Sequence, residues 1–220
     1  RSDIKREAAK IINEELTVDD SLFLYHDVCT NGIGYVDLMF KTDSIAPEQI
    51  PYLGLLKSVL GYVDTENYTY GELFNEINAN TGGINCGVEV FDRADSTEEF
   101  QAMFSVRGKA LYTKMDFLFK MIGEILNSSK LEDTKRLYEI VASVKSRAQV
   151  NLTGAGHSTA VLRAAAYSSP MAAFQDEMAG IGYYQFIEKL EKDFEQRKEE
   201  TVEELCKLMK KILRPENFMI

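Results

Sequence analysis

The sequence predicts an α+β fold: an antiparallel β-sheet with helices packed on one face. Two observations carry this. The first half holds short stretches in which apolar residues alternate with polar ones, as in Val36, Leu38, Phe40 and again in Phe100, Ala102, Phe104, Val106. The second half changes period, with apolar residues three and four apart, as in Met115, Leu118, Ile122 and Ile125. Period two marks half-buried strands and period 3.6 marks amphipathic helices.

Taken in order, Lys5–Leu16 reads as a polar helical arm. Residues 1–20 are a linker from a preceding region, and residues 21–220 a single α+β domain cut off in its last strand. Leu22–Cys29 and Ile33–Thr42 read as strands. Asn31-Gly32 between them is a strong signal for a two-residue hairpin turn. Ile50–Phe91 reads as helix, link, helix, glycine break and strand. Its first helix carries Leu53, Leu56, Val59 and Leu60; Gly61–Asn67 is the link. Leu73, Phe74 and Ile77 share one face of the second helix, which ends at Gly82-Gly83. Ile84, Cys86, Val88 and Val90 then alternate as a strand. Asp92–Glu98 reads as an acidic loop, and Phe100–Lys109 as a strand pairing back onto Ile84–Phe91.

Helices follow. Leu111, Met115, Leu118, Phe119 and Ile122 mark one, and Ile140, Val141, Val144 and Ala148 the next. Asn151–Ser169 is a small-residue segment without a helical assignment. Pro170 opens a short helix that ends near Gly180-Ile181-Gly182. Tyr184–Leu213 is the last helical region, with a break near Gln196. Asn217–Ile220 reads as a strand just beginning. A chain that stops on an unpaired apolar strand leaves sticky edge backbone, so a longer parent protein is expected.

Composition narrows the function. The 220 residues carry a net charge of −10, which disfavours nucleic acid, since binding phosphates needs a basic face. No apolar run approaches a membrane span, so no membrane partner is expected. The three cysteines, Cys29, Cys86 and Cys206, are widely spaced and lack a C-x-x-C pattern. They suit a reducing compartment, cytoplasmic or an organelle matrix. Sequons at Asn67, Asn127 and Asn151 weigh little against the thiols.

Candidate chemistry is sparse. His26 lies in a strand beside Asp27, which points to the opposite face, and His157 lies in a glycine-rich loop. Neither has a second metal ligand at the right spacing. Gly154-Ala155-Gly156 lacks the preceding strand and third glycine of a dinucleotide fingerprint. His157-Ser158 has no acid to orient the ring as a nucleophile–base pair needs. Arg107-Gly108-Lys109 would complete a phosphate loop only with glycine at position 103, which is Met103. The Glu188–Glu204 run, interspersed with Lys and Arg, reads as a solvated helix face.

Three blocks carry a resemblance: LLKSVLGYVDTENYTYGELFNEINANTGGI, FSVRGKAL, and NLTGAGHSTAVLRAAA with FQDEMAGIGYYQFIEKLEK. In that order, over Ser21–Ile220, they resemble the third homologous domain of the presequence proteases, inverzincin metallopeptidases of the pitrilysin/insulinase group. The resemblance implies the metallopeptidase-like fold of the processing peptidases, also seen in LuxS. It implies a parent chain of four such domains closing around a chamber, with the other domains and peptide substrates as partners. It further implies an H-x-x-E-H zinc site elsewhere in that parent, cleaving unfolded, cationic targeting peptides. Here the motif positions fall near Leu53, Leu56 and Lys57. Leucine has no donor atom, and a protonated Lys57 repels Zn²⁺. No catalytic, metal or cofactor-binding residue is therefore expected in this chain. The expected role is a non-catalytic chamber wall of a zinc metalloendopeptidase, zinc being held by the parent only. A structural-subunit relative without protease activity and a peptide-binding module are the alternatives.

Overall fold

A computed structural model describes residues 12–18, 21–93 and 96–220. Six strands form one sheet: β1 (Ile12–Val18), β2 (Ser21–Asp27), β3 (Ile33–Lys41), β4 (Ile84–Arg93), β5 (Ser96–Leu111) and β6 (Phe218–Met219), in the order β1-β2-β6-β3-β5-β4. All pairings are antiparallel except β2–β6. Val36, Leu38 and Phe40 on β3 and Ala102, Phe104 and Val106 on β5 turn inward and join the helices in one core. The residues between them, Asp37 and Met39 on β3 and Met103 and Ser105 on β5, turn to the opposite face, where Met103 and Ser105 are also buried. There Arg107 pairs with Asp37 at 2.7 Å and Glu89 at 3.1 Å.

The helices are α1 (Ile50–Val59), α2 (Tyr70–Asn80), α3 (Met115–Ser128), α4 (Thr134–Gly154), α5 (Gly156–Ala165), α6 (Pro170–Ala179), α7 (Ile181–Lys192) and α8 (Phe194–Ile212). The innermost is α1, where seven of ten residues are buried. A helix apolar on nearly every side belongs inside a core rather than on a surface. Each fully buried leucine, such as Leu53 or Leu55, contributes roughly 2 kcal/mol of burial. Gly54 lets α1 touch α6 and α7: a Cβ there would lie 2.9 Å from the Met178 carbonyl oxygen and 2.7 Å from the Tyr183 ring.

Several expectations need correction. Ile12–Leu16 is strand, not helical arm: it pairs with β2 from Ile12↔Asp27 to Val18↔Ser21, and pairing within this hairpin overrides helix propensity. Lys5–Ile11 lies outside the described residues. The Asn31-Gly32 turn forms, with φ of 53° and 85° and the Ile33 N–H donating to Thr30 at 3.2 Å. The strands beside it do not pair, however. β6 enters between them, joining Leu22 to Met219 and Phe40 to Phe218. Turn chemistry acts over four residues, and the intruding strand arrives from the far end of the chain. The two hairpins are thus β1–β2 and β4–β5. Most of Asp92–Glu98 is strand rather than loop, with a register shift at Asp92/Arg93; residues 94 and 95 lie outside the described set.

Asn151–Ser169 is mostly helical. α4 runs on to Gly154, the backbone breaks at Ala155 (φ −124°, ψ 37°), and α5 restarts at Gly156. Ala160, Leu162, Arg163, Ala164 and Ala165 are strong helix formers, and the glycines at 154 and 156 mark only the break. The α7–α8 break is at Asp193, not Gln196. Leu111 ends β5, and Phe74, Leu111 and Phe119 are exposed rather than packed.

Candidate functional site

Leu53, Leu56 and Lys57, the positions that the resemblance sets near the metallopeptidase motif, lie on α1. Leu53 and Leu56 are sealed in the core at 0% and 1% exposure. Lys57, one residue on, turns outward from that core and is half-buried. These side chains do not fit a zinc ion: two carry no donor atom, and the third is a cation whose pKa is pushed down by burial alone. Among the described residues no group of three His, Cys, Asp or Glu side chains could hold a metal. The two histidines are not brought together. His26 sits on β2, its Nδ1 2.6 Å from the Asn13 amide oxygen. His157 is exposed in the first turn of α5, not in a loop. Cys29, Cys86 and Cys206 are free thiols.

Next to α1 the molecule does hold a cleft. A cavity of about 630 Å³ opens between α1, α2 and β4, lined by Lys57, Ser58, Phe74, Asn78 and the β4 residues Ile84–Glu89. A smaller one of about 230 Å³ lies between α1, α4 and the α6–α7 junction, lined by Asn151, Thr159, Gly180 and Tyr183. Lys57, Ser58 and Arg147 line both. The exposed Phe74, read from its spacing as a core residue, belongs to the wall of the larger cavity.

Each wall is built for a local reason. α2 starts on a capping box, in which the Thr69 hydroxyl accepts from the Glu72 N–H and the Glu72 carboxylate accepts from the Thr69 N–H at 2.9 Å. The loop before it is pinned by Glu124 of α3, whose carboxylate accepts from the Asn67 backbone N–H (3.1 Å) and side-chain amide (2.9 Å). Hydrogen bonding from Thr65 and then Asn67 holds the Glu124 carboxyl below the usual range. The α6–α7 junction is organised by Asp176, only 1% exposed. Its carboxylate accepts from the Ile181 and Gly182 N–H groups at 3.0 and 3.1 Å and pairs with Arg163 of α5 at 2.6 Å. A carboxylate at a helix N-terminus satisfies donors that would otherwise be orphaned. Gly180 and Gly182 make room for it, because a Cβ at either position would strike the Asp176 carboxylate.

The groups facing the cavities are less well satisfied. Among the described residues no carboxylate pairs with Lys57 or Arg147. The Ser58 hydroxyl donates to the Gly54 carbonyl at 3.4 Å. The Tyr183 hydroxyl is buried against the Ser58 side chain; burial raises its pKa and the Ser58 contact lowers it by less, so it stays a protonated donor. Burial also pushes the Cys86 thiol up to about 12. Sequence reasoning missed Arg147, Asp176 and Tyr183. A usable signal for Asp176 existed, an acid four residues before Gly-Ile-Gly at a helix boundary. Arg147 and Tyr183 meet Lys57 only through the tertiary fold.

The sequence model of the family described as "Peptidase M-16C associated" matches residues 1–190. Protein HypA of Clostridium perfringens is 35% identical over 99% of this chain and 22% of its own length. The mitochondrial presequence protease of Yarrowia lipolytica is 29% identical over 76% of this chain and 17% of its own. Presequence protease 1 of Arabidopsis thaliana, chloroplastic and mitochondrial, is 27% identical over 86% and 18%. The chain thus spans about a fifth of the length of these relatives. The family match covers most of the chain, which therefore belongs to the peptidase M-16C-associated family.

Proposed function

We propose that this chain is a non-catalytic part of a zinc-dependent metalloendopeptidase that degrades unfolded peptides such as targeting peptides, and that it forms one wall of the peptide chamber. The observation that carries this is the fate of the motif positions in a chain of this family: Leu53 and Leu56 are core, and Lys57 is a cation. The metal-binding helix is kept as a scaffold while its ligands are replaced. Zinc and the water-activating glutamate would then lie elsewhere in the parent chain, whose other domains are this chain's partners. The free thiols support a reducing compartment, cytoplasm or organelle matrix. The net charge of −10 supports attraction of cationic peptides and argues against nucleic acid. Among the described residues no helix is long and apolar enough to cross a membrane.

The test compares the full-length protein containing this segment with the 220-residue chain alone, by zinc content and by cleavage of a cationic targeting-type peptide. Expected are bound zinc and chelator-sensitive cleavage for the full-length protein, and neither for the segment. Cleavage by the segment overturns the non-catalytic assignment. A full-length protein without zinc or cleavage overturns the peptidase assignment in favour of a structural subunit.

A further inference from the structure

We propose that the cleft between α1 and β4 binds an extended peptide segment, added as a strand to the open edge of β4, with a carboxylate of that segment seated between Lys57 and Arg147. This goes beyond the chamber-wall reading, since binding here requires no hydrolysis.

The edge comes first. Among the described strands β4 is the last of the sheet, and its only neighbour is β5. The register runs Ile84↔Gly108 through Phe91↔Gln101, and the Lys109 N–H donates to the Gly83 carbonyl at 3.4 Å. In an antiparallel ladder the hydrogen-bonded pairs alternate. Asn85, Gly87, Glu89 and Phe91 therefore face β5, while the N–H and C=O groups of Ile84, Cys86, Val88 and Val90 face the open side. An edge with its backbone groups free is a template for another strand. Residues 84–89, which line the cleft, extend for about 20 Å at strand rise.

Charge decides the occupant. The one carboxylate in the β4 wall, Glu89, is already engaged by Arg107. What remains at the junction of the two cavities is cationic and donor-rich: Lys57 and Arg147 without a carboxylate partner among the described residues, and the buried Tyr183 hydroxyl beside Ser58. A half-buried ammonium with no counter-charge is costly in a free protein, and an incoming carboxylate offsets that cost. In a chain of net charge −10, a local surplus of cations facing a vacant strand edge matches a segment whose backbone pairs with β4 and whose end, or an acidic side chain, is anionic. The smaller cavity, about 230 Å³, is large enough for a carboxylate and too small for much more of the segment.

The test uses the full-length protein containing this segment, with a chelator present to stop any hydrolysis. The probe is an N-terminally dye-labelled eight-residue peptide of alternating Val and Thr with a free C-terminal carboxylate, alongside its C-terminally amidated twin. Fluorescence anisotropy is expected to show at least tenfold tighter binding of the free acid. Lys57→Met should bring the two peptides within about twofold of each other, and Arg147→Gln should narrow the gap partially. Val88→Pro removes one outward N–H without touching the β4–β5 ladder, as edge strands tolerate, and should weaken both peptides alike. Amide exchange localises the site: Ile84, Cys86 and Val88 should exchange readily in the free protein and slow when the free-acid peptide binds. Equal affinity for the two peptides, or an unchanged gap in Lys57→Met, overturns the carboxylate site. Protection of these amides without peptide means that another segment of the chain or a second copy already covers the edge, and overturns strand addition. Failure of these readings leaves zinc content and cleavage of the parent unaffected, so the two proposals fail separately.

Discussion

Asp176 and Lys57 both carry charge out of water around the smaller cavity, and the fold treats them in opposite ways. Asp176, behind Gly180, is 1% exposed and meets a guanidinium and two helix N–H groups. Lys57, across the cavity, is half-buried and meets no carboxylate among the described residues. Burying a charge is tolerable when its lone pairs or protons are matched and costly when they are not. The first arrangement is what a structural charge looks like. The second finds no such match among the described residues, so its counterpart is to be sought among ligands.

The largest effect should come from breaking the satisfied side. Asp176→Ala orphans two N–H groups at the start of α7 and leaves Arg163 without its anion. A loss of about 3 kcal/mol is expected, read as a lower urea midpoint. Asp176→Asn, which keeps an acceptor, should lose roughly half as much. Arg163→Ala should cost far less, because its side chain is 39% exposed and water replaces it. If the two single substitutions cost the same, the carboxylate is held by the ion pair and not by the helix terminus.

Glu124 extends the satisfied class to a second site, and its effect should be smaller. Glu124→Ala frees the Asn67 N–H groups and loosens the loop into α2, for about 2 kcal/mol. Its carboxyl titrates below the usual value because Thr65 and Asn67 hydrogen-bond the charged form. A carboxyl depressed on folding contributes stability above its unfolded value, about 4.5, and loses it as pH falls through the folded value. Glu124→Gln should therefore flatten the acid limb of the stability–pH curve. An unchanged limb would mean that these hydrogen bonds do not distinguish the two protonation states.

This contrast also shows how far the sequence can be read. The burial of α1 was legible in the spacing of Leu53, Leu56 and Val59, and the β4–β5 hairpin in its alternation, because both patterns are local. What was not legible was non-local. β6 parts β2 from β3 although Asn31-Gly32 forms the turn that would join them. Phe74 has the spacing of a core residue and lines a cleft, since which side of α2 meets the sheet edge is set by the whole packing. Asp176, Arg147 and Tyr183 acquire their meaning from partners in α5, α7 and α1, which spacing along one helix does not report.

The smallest effect is the one that discriminates best. Lys57→Met keeps the length and apolar stem of the side chain and removes the charge. Burial lowers the Lys57 pKa from its ordinary 10.5, so between the folded and unfolded values the unfolded chain binds more protons than the folded one. Stability must then rise with pH across that window and level off above 10.5. At neutral pH the native chain carries the full penalty, and Lys57→Met should remove it, raising stability by about 1 kcal/mol and flattening the alkaline rise. Urea midpoints at pH 7 and pH 10 for both proteins measure this directly. A loss of stability in Lys57→Met at pH 7 would mean that the ammonium is compensated within the chain after all. It would then be a structural charge like Asp176, and the cleft would lose its reason to attract an anion.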